Sequence, residues 1–175
     1  MEYLQLFDNN KNQIAGGKIA RDHKLEVIPG ERFMIVLIFI ENKDHKFLIQ
    51  KTPINKDGKF ASTGGHVSFG DSSLKTILKE TREELGIELT SGDVKFIDSV
   101  STSKAFCDIY YTDKEMHRGD MTLQKSEVEN VYWYSEAEIR NLIAHNEFRK
   151  RNIGPFEKVI AWRKENTPLL QKNMI

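Results

Sequence analysis

The stretch Gly64 to Ile87, GGHVSFGDSSLKTILKETREELGI, decides how this chain is to be read. It runs from a glycine turn through a polar cap into an amphipathic helix and stops on a second glycine. Asp71, Ser72 and Ser73 are all good N-cap residues, because a short side-chain oxygen can accept from an unpaired first-turn amide. Gly86 suits the left-handed position that closes a helix, and Ile87 can fold back from it.

At about 100° per residue, Leu74, Ile77, Leu78, Thr81 and Leu85 share one side of that helix and should face a core. Glu80, Glu83 and Glu84 fall within roughly 100° of one another on a different side, since residues three and four apart are neighbours. One reading makes this an ordinary solvated face, laced with Lys75, Lys79 and Arg82. The other is that three carboxylates on one turn, if partly shielded from water, repel each other and want a cation. A donor set of hard oxygens alone suits Mg²⁺ or Mn²⁺ better than zinc.

The spacing of the glycine turn from the acids favours the second reading. Gly65 is followed by five residues, Asp71, seven residues, and then Lys79-Glu80-Thr81-Arg82-Glu83-Glu84-Leu85-Gly86-Ile87. This resembles the Nudix box, G-x5-E-x7-R-E-U-x-E-E-x-G-U with U a bulky apolar residue. Gly65, Glu80, Glu83, Glu84, Gly86 and Ile87 match it. Asp71, Lys79 and Thr81 stand where the family has Glu, Arg and an apolar residue.

Composition is compatible with such an enzyme without pointing to it. The chain has 175 residues, 39% of them hydrophobic, enough for one substantial core and little room for a second full domain. We expect a single domain over 1–175, with an N-terminal hairpin extension over 1–30, a core over 31–143 and a helical segment over 144–175. Lys and Arg together number 26 and so do Asp and Glu, so no bulk attraction to nucleic acid or an anionic membrane is implied, although a local basic patch is still open. The lone cysteine, Cys107, excludes an intrachain disulfide and reads as a small core residue. The N-terminus lacks a signal-peptide pattern and no apolar run reaches membrane-spanning length, so a cytoplasmic protein is expected.

Taken in order, YLQLF (3–7) and IAGGKIA (14–20) flank the turn formers Asp8 to Asn12 and predict a hairpin, with a bulge or bend at Gly16-Gly17. Arg21 to Pro29 reads as a linker. FMIVLIFI (33–40) predicts a strand buried on both faces, and KFLIQK (46–51) a partner hairpinned to it. After the box, 94–101, 106–111 and 127–134 read as strands, and Ser135 with Glu138 signals a capped helix. His145 to about Glu165 reads as helical with an interruption near Gly154-Pro155. Strands with helices before and after predict an α/β fold with a mixed sheet covered on both faces. The resemblance implies the same α/β/α sandwich, with a closer likeness to the isopentenyl-diphosphate isomerase branch through the N-terminal hairpin, the LIQK strand and the segment from Trp133 to Ile139.

The resemblance also implies a chemistry. Nudix enzymes hydrolyse a nucleoside diphosphate linked to another group, using Mg²⁺. Carried over residue by residue, Glu80, Glu83 and Glu84 with the Gly65 carbonyl become metal ligands. Glu83 or Glu127 becomes the base, with Glu129 second to Glu127. Asp71 and Lys79 become the brace of the box, and His66 a contact to phosphate. His23, His45, His117 and His145 are assigned no role. Isomerase chemistry is excluded, because Gly64 stands where that enzyme has its cysteine and Ala105 where it has a glutamate. The expected partner is a small nucleotide-type diphosphate, with no nucleic acid or membrane, for a monomer or homodimer. The alternative is a Nudix-fold binding or sensor module without turnover, motivated by the softened Asp71, Lys79 and Thr81.

Overall fold

The computed structural model of the chain describes residues 2–21 and 26–172, so His23 and part of the expected linker lie outside the described residues. Strands β1 (Tyr3–Phe7) and β2 (Gln13–Ala20) form the N-terminal hairpin, with the Asp8 carboxylate accepting the Asn10 and Asn12 amides in the turn. Their register slips between Gln5 and Phe7, and Gly16 adopts φ 69°, so the expected bulge is present. The buried Gln5 amide donates to the Ile14 and Gly17 carbonyls and fills the gap it leaves.

The apolar run forms β3 (Arg32–Ile40), and both of its edges are occupied. On one edge β8 (Ala105–Thr112) lies parallel to it from Phe33 to Ile40, flanked in turn by β7 (Lys95–Ser101). On the other edge β1 pairs at Phe33 and β6 (Thr63–His66) pairs from Ile35 to Ile38, both antiparallel. These six strands make one mixed sheet.

The expected hairpin between β3 and the LIQK strand does not form. Strand β4 (Phe47–Lys51) meets the end of β3 through the Glu41–Phe47 backbone bridge and the Phe39–Phe47 ring contact without pairing along it, and it lies between β5 (Phe60–Ala61) and β9 (Asn130–Tyr134) in a separate three-stranded sheet. With both edges of β3 taken, the backbone of β4 has to find partners elsewhere.

Alternation along β3 divides the core. Val36, Ile38 and Ile40 pack toward helix α1 (Ser73–Leu85) with Ile77 and Leu85. Leu37 and Phe39 pack toward α2 (Glu136–Ala144) and α3 (Lys150–Lys172), among Ile139, Phe156 and Val159. This is the α/β/α layering that was expected. Ser135 and Glu138 form a full capping box at the start of α2.

Helix α3 passes through Gly154-Pro155 without the interruption that was expected. A proline inside a helix costs about 3 kcal/mol. Phe156, Val159 and Ile160, all buried just beyond it, each contribute roughly 1.5–3 kcal/mol and outweigh that cost. Among the described residues no helix is long and apolar enough to cross a membrane.

Candidate active site

Helix α1 is fastened at both ends as its sequence requires. The Ser72 hydroxyl accepts the Lys75 amide at 3.1 Å, and Gly86 closes the helix at φ 71° with its amide donating to the Arg82 carbonyl. Ile87 packs against the same core cluster as Leu74 and Leu78. Thr81, fully buried, donates its hydroxyl to the Ile77 carbonyl at 2.8 Å, which lets a polar residue occupy an apolar position.

With the apolar side anchored, the acidic side of α1 opens on a cavity of about 440 Å³ that contains Glu80, Glu83 and Glu84. Strand β6 brings its glycines up to that wall. A Cβ built on Gly65 would lie 2.2 Å from Glu80 Oε1, so only glycine lets the strand and the carboxylate approach this closely. A Cβ on Gly64 would lie 2.0 Å from the Val36 carbonyl oxygen, a clash with backbone that a rotamer change cannot relieve.

The three carboxylates differ in environment. Glu83 is exposed and Glu80 half-buried, while Glu84 is 7% exposed and receives the Gln50 amide at 3.0 Å. Thr63 donates to Gln50 Oε1 at 3.3 Å, which orients that amide. Burial raises the pKa of Glu84 to about 7; the hydrogen bond from Gln50 opposes this, and the charges of Glu80 and Glu127 add to it. Burial also raises the pKa of Glu80, against the pull of Arg21 and with the push of Glu83. Among the described residues Glu80 has no hydrogen bond and no ion pair.

Basic residues line the same cavity. Arg149 and Arg151, from the start of α3, face into it together with Lys56 from the loop after β4 and Arg21 from the end of β2. Arg149 is held by Asp57 at 2.8 Å, and Arg21 by Glu2 at 2.7 Å. Arg151 makes no ion pair among the described residues, and desolvation followed by the charge of Arg149 lowers its pKa. His66 also lines the cavity, 5.5 Å from the Phe33 ring. Burial, and then the guanidiniums of Arg151 and Arg21, bring its pKa down to about 4, so at neutral pH it is an uncharged donor and acceptor.

The structure thus brings Gly65, His66, Lys79, Glu80, Glu83, Glu84 and Glu127 to one cavity. Glu127 arrives from a turn spanning 125–127 rather than from a strand, because β9 starts only at Asn130, and it is paired with Lys56. Glu129 is exposed and does not line the cavity. Asp71 and Lys79 are not brought together: Asp71 pairs with Lys75 at 2.5 Å, one turn along α1, and Lys79 lies beside Glu80. An aspartate is one methylene shorter than a glutamate, which favours the nearer lysine.

Sequence reasoning did not find Gln50, Lys56, Arg149, Arg151 or the Glu2–Arg21 pair. Only the basic run Arg149-Lys150-Arg151 carries a local signal.

Among the described residues no three His, Cys, Asp or Glu side chains are already gathered as a metal cage. The donors nonetheless fit a hard divalent cation. They are carboxylates, two of them are partly or wholly desolvated with raised pKa values, and among the described residues Glu80 has no cation within bonding distance.

Comparison with known proteins agrees with this geometry. The model of the NUDIX domain matches residues 31–155. This chain belongs to the Nudix family. An uncharacterized Nudix hydrolase of Listeria monocytogenes is 29% identical over 152 residues, covering 85% of this chain and 88% of that one. The NAD-capped RNA hydrolase NudC of Pseudomonas aeruginosa is 26% identical over 102 residues, 58% of this chain and 35% of its own. Among solved structures, the DR0079 protein of Deinococcus radiodurans shares the fold at a TM-score of 0.72 and 21% identity, over 87% of this chain and 94% of that one. Membership places this Nudix protein among the pyrophosphohydrolases, enzymes that act on phosphoric anhydride bonds and use divalent metal ions.

Proposed function

We propose that this Nudix protein is a Mg²⁺-dependent hydrolase, Mn²⁺ being able to serve, that cleaves the diphosphate of a nucleoside diphosphate linked to another group. The observation that supports this reading is the gathering, in one cavity, of the acidic residues of α1 with Arg149, Arg151 and Lys56. A diphosphate is repelled by carboxylates alone and over-neutralised by the basic residues alone, so the arrangement suits an anion bound together with cations.

Glu80, Glu83, Glu84 and the Gly65 carbonyl would hold Mg²⁺. The ion supplies neutralisation of phosphoryl charge and a more acidic bound water. The chain's own groups do the rest. Arg149 and Arg151 orient the phosphates, with Arg149 steadied by Asp57. Gln50 fixes the rotamer of Glu84, and neutral His66 donates to an anhydride oxygen. Glu127 accepts the proton of the attacking water, Glu83 being the alternative base on the helix itself. Asp71 braces the loop through Lys75, and Lys79 contributes charge beside Glu80. The backbone clash at Gly64 leaves no room for a thiol there and position 105 is an alanine, so the thiol and carboxylate pair of an isomerase is missing, which favours hydrolysis. Residues 1–175 act as one domain, since β1 pairs with β3 and Glu2 and Arg21 line the same cavity.

A screen with Mg²⁺ or Mn²⁺ over ADP-ribose, nucleotide sugars, NAD, coenzyme A, diadenosine polyphosphates and nucleoside triphosphates tests the reading. Release of phosphate-containing products from a diphosphate-linked nucleoside is expected. Tight nucleotide binding with no product from any of them would instead identify a binding or sensor module.

A further inference from the structure

A second cavity, about 120 Å³, adjoins the charged one, and Arg151 lines both. Its other walls include Ile35, Leu37, Val100, Phe106 and Cys107. Strand register explains why the two cavities touch. His66 on β6 lies opposite Ile35 on β3, Ile35 opposite Cys107 on β8, and Cys107 opposite Val100 on β7. Directly opposed residues present their side chains on the same face of a sheet. One row of side chains therefore runs from His66, in the charged cavity, through Ile35 and Cys107 to Val100 in the apolar one.

The lining makes this a poor place for water or an ion. Burial pushes the Cys107 thiol up to about 12, so it contributes a small apolar surface and no charge. Water bound there would find few of the two to four polar partners it needs. The space is comparable to cavities of about 150 Å³ that hold a benzene ring. It is too small for a helix or strand of another chain.

We propose that the cavity between Ile35, Cys107 and Val100 is a specificity subsite for a small apolar group, a ring or branched alkyl of about benzene size, attached to the diphosphate of the substrate. This rests on the hydrolase reading above and narrows its substrate class. Arg151, common to both cavities, takes the phosphate nearest that group, and the row beginning at His66 guides the group off the charged floor. Substrates with an apolar end gain affinity from burying it, while those with a polar end leave the cavity unfilled.

The test uses methyl and benzyl esters of methylenebisphosphonate, which cannot be hydrolysed, titrated calorimetrically into the full chain with Mg²⁺. The benzyl ester should bind at least tenfold tighter. Its ring protons should show nuclear Overhauser contacts to the methyls of Val100 and Ala105, a readout that needs no variant. Val100→Phe and Ala105→Leu, the second at another half-buried residue of the cavity wall, each confirmed as folded by its unfolding midpoint, should bring the ratio to about one. Equal or absent binding of the two esters to the wild type, contacts to other methyls, or a ratio that persists in a folded variant would overturn the subsite. The turnover screen separates the two readings. A wild type that hydrolyses diphosphates but shows no benzyl preference loses the subsite alone, and one that hydrolyses nothing loses the hydrolase reading while the ester ratio still decides the subsite.

Discussion

Replacing Glu84 by Gln should make the metal-free protein more stable while abolishing its chemistry. Glu84 is 7% exposed, it accepts from the Gln50 side chain and the Gly64 backbone among the described residues, and its pKa rises from the ordinary 4.5 to about 7 in the fold. The folded state therefore keeps a proton that the unfolded chain has already lost. The destabilisation is absent below pH 4.5, grows as pH climbs through the interval to 7, and is complete above it. Two and a half decades of proton affinity correspond to about 3 kcal/mol. Glutamine has the same shape, still accepts from Gln50 and carries no charge. In EDTA at pH 8, Glu84→Gln should raise stability by about 3 kcal/mol, or roughly 6–12 °C in Tm for a chain of this size. At pH 4 the gap should close. Urea unfolding followed by the fluorescence of Trp133 and Trp162 measures it. Mg²⁺ at a hundred times its Kd should then add about 2.7 kcal/mol to the wild type and much less to the variant, whose turnover should fall at least a hundredfold. A variant no more stable than the wild type in EDTA at pH 8 would refute the claim that Glu84 is a desolvated charge lacking its cation, and unchanged turnover would remove it from the ligand set.

The two box glycines should fail in different ways. Gly64→Ala drives a Cβ into the Val36 backbone and should cost about 3 kcal/mol in urea unfolding, whereas Gly65→Ala meets only the movable Glu80 carboxylate and should stay within about 1 kcal/mol of wild type while losing at least tenfold in kcat. Arg151→Ala removes a cation that no protein group pairs among the described residues. Steady-state kinetics should show KM for a diphosphate substrate raised about tenfold with kcat little changed. With its pKa near 12, native Cys107 should resist a neutral alkylating reagent at pH 8 and react once the chain is unfolded in urea, as read by intact mass.

Helix α1 and its acids were legible from the chain alone because every determinant is local. The Ser72 cap, the Gly86 stop, the apolar stripe and the spacing from Gly65 to Glu84 all lie within 24 consecutive residues, and hydrogen-bond geometry fixes them without help from the rest of the fold. The apolar run of β3 and the capping box at Ser135 were readable for the same reason. Long-range packing decided the rest. Pairing of β4 with β9 instead of β3 depended on which edges were already filled, and continuity of α3 through Pro155 on the burial of Phe156 and Val159. The basic residues of the cavity come from the end of β2, the loop after β4 and the start of α3, and the apolar cavity is lined by side chains from three strands, β3, β7 and β8. Local rules do not encode those coincidences. The sequence alone determined the acid-bearing helix, and only the tertiary structure decided which residues share its cavity, because the charge and shape of a cavity depend on residues that meet only when distant segments fold together.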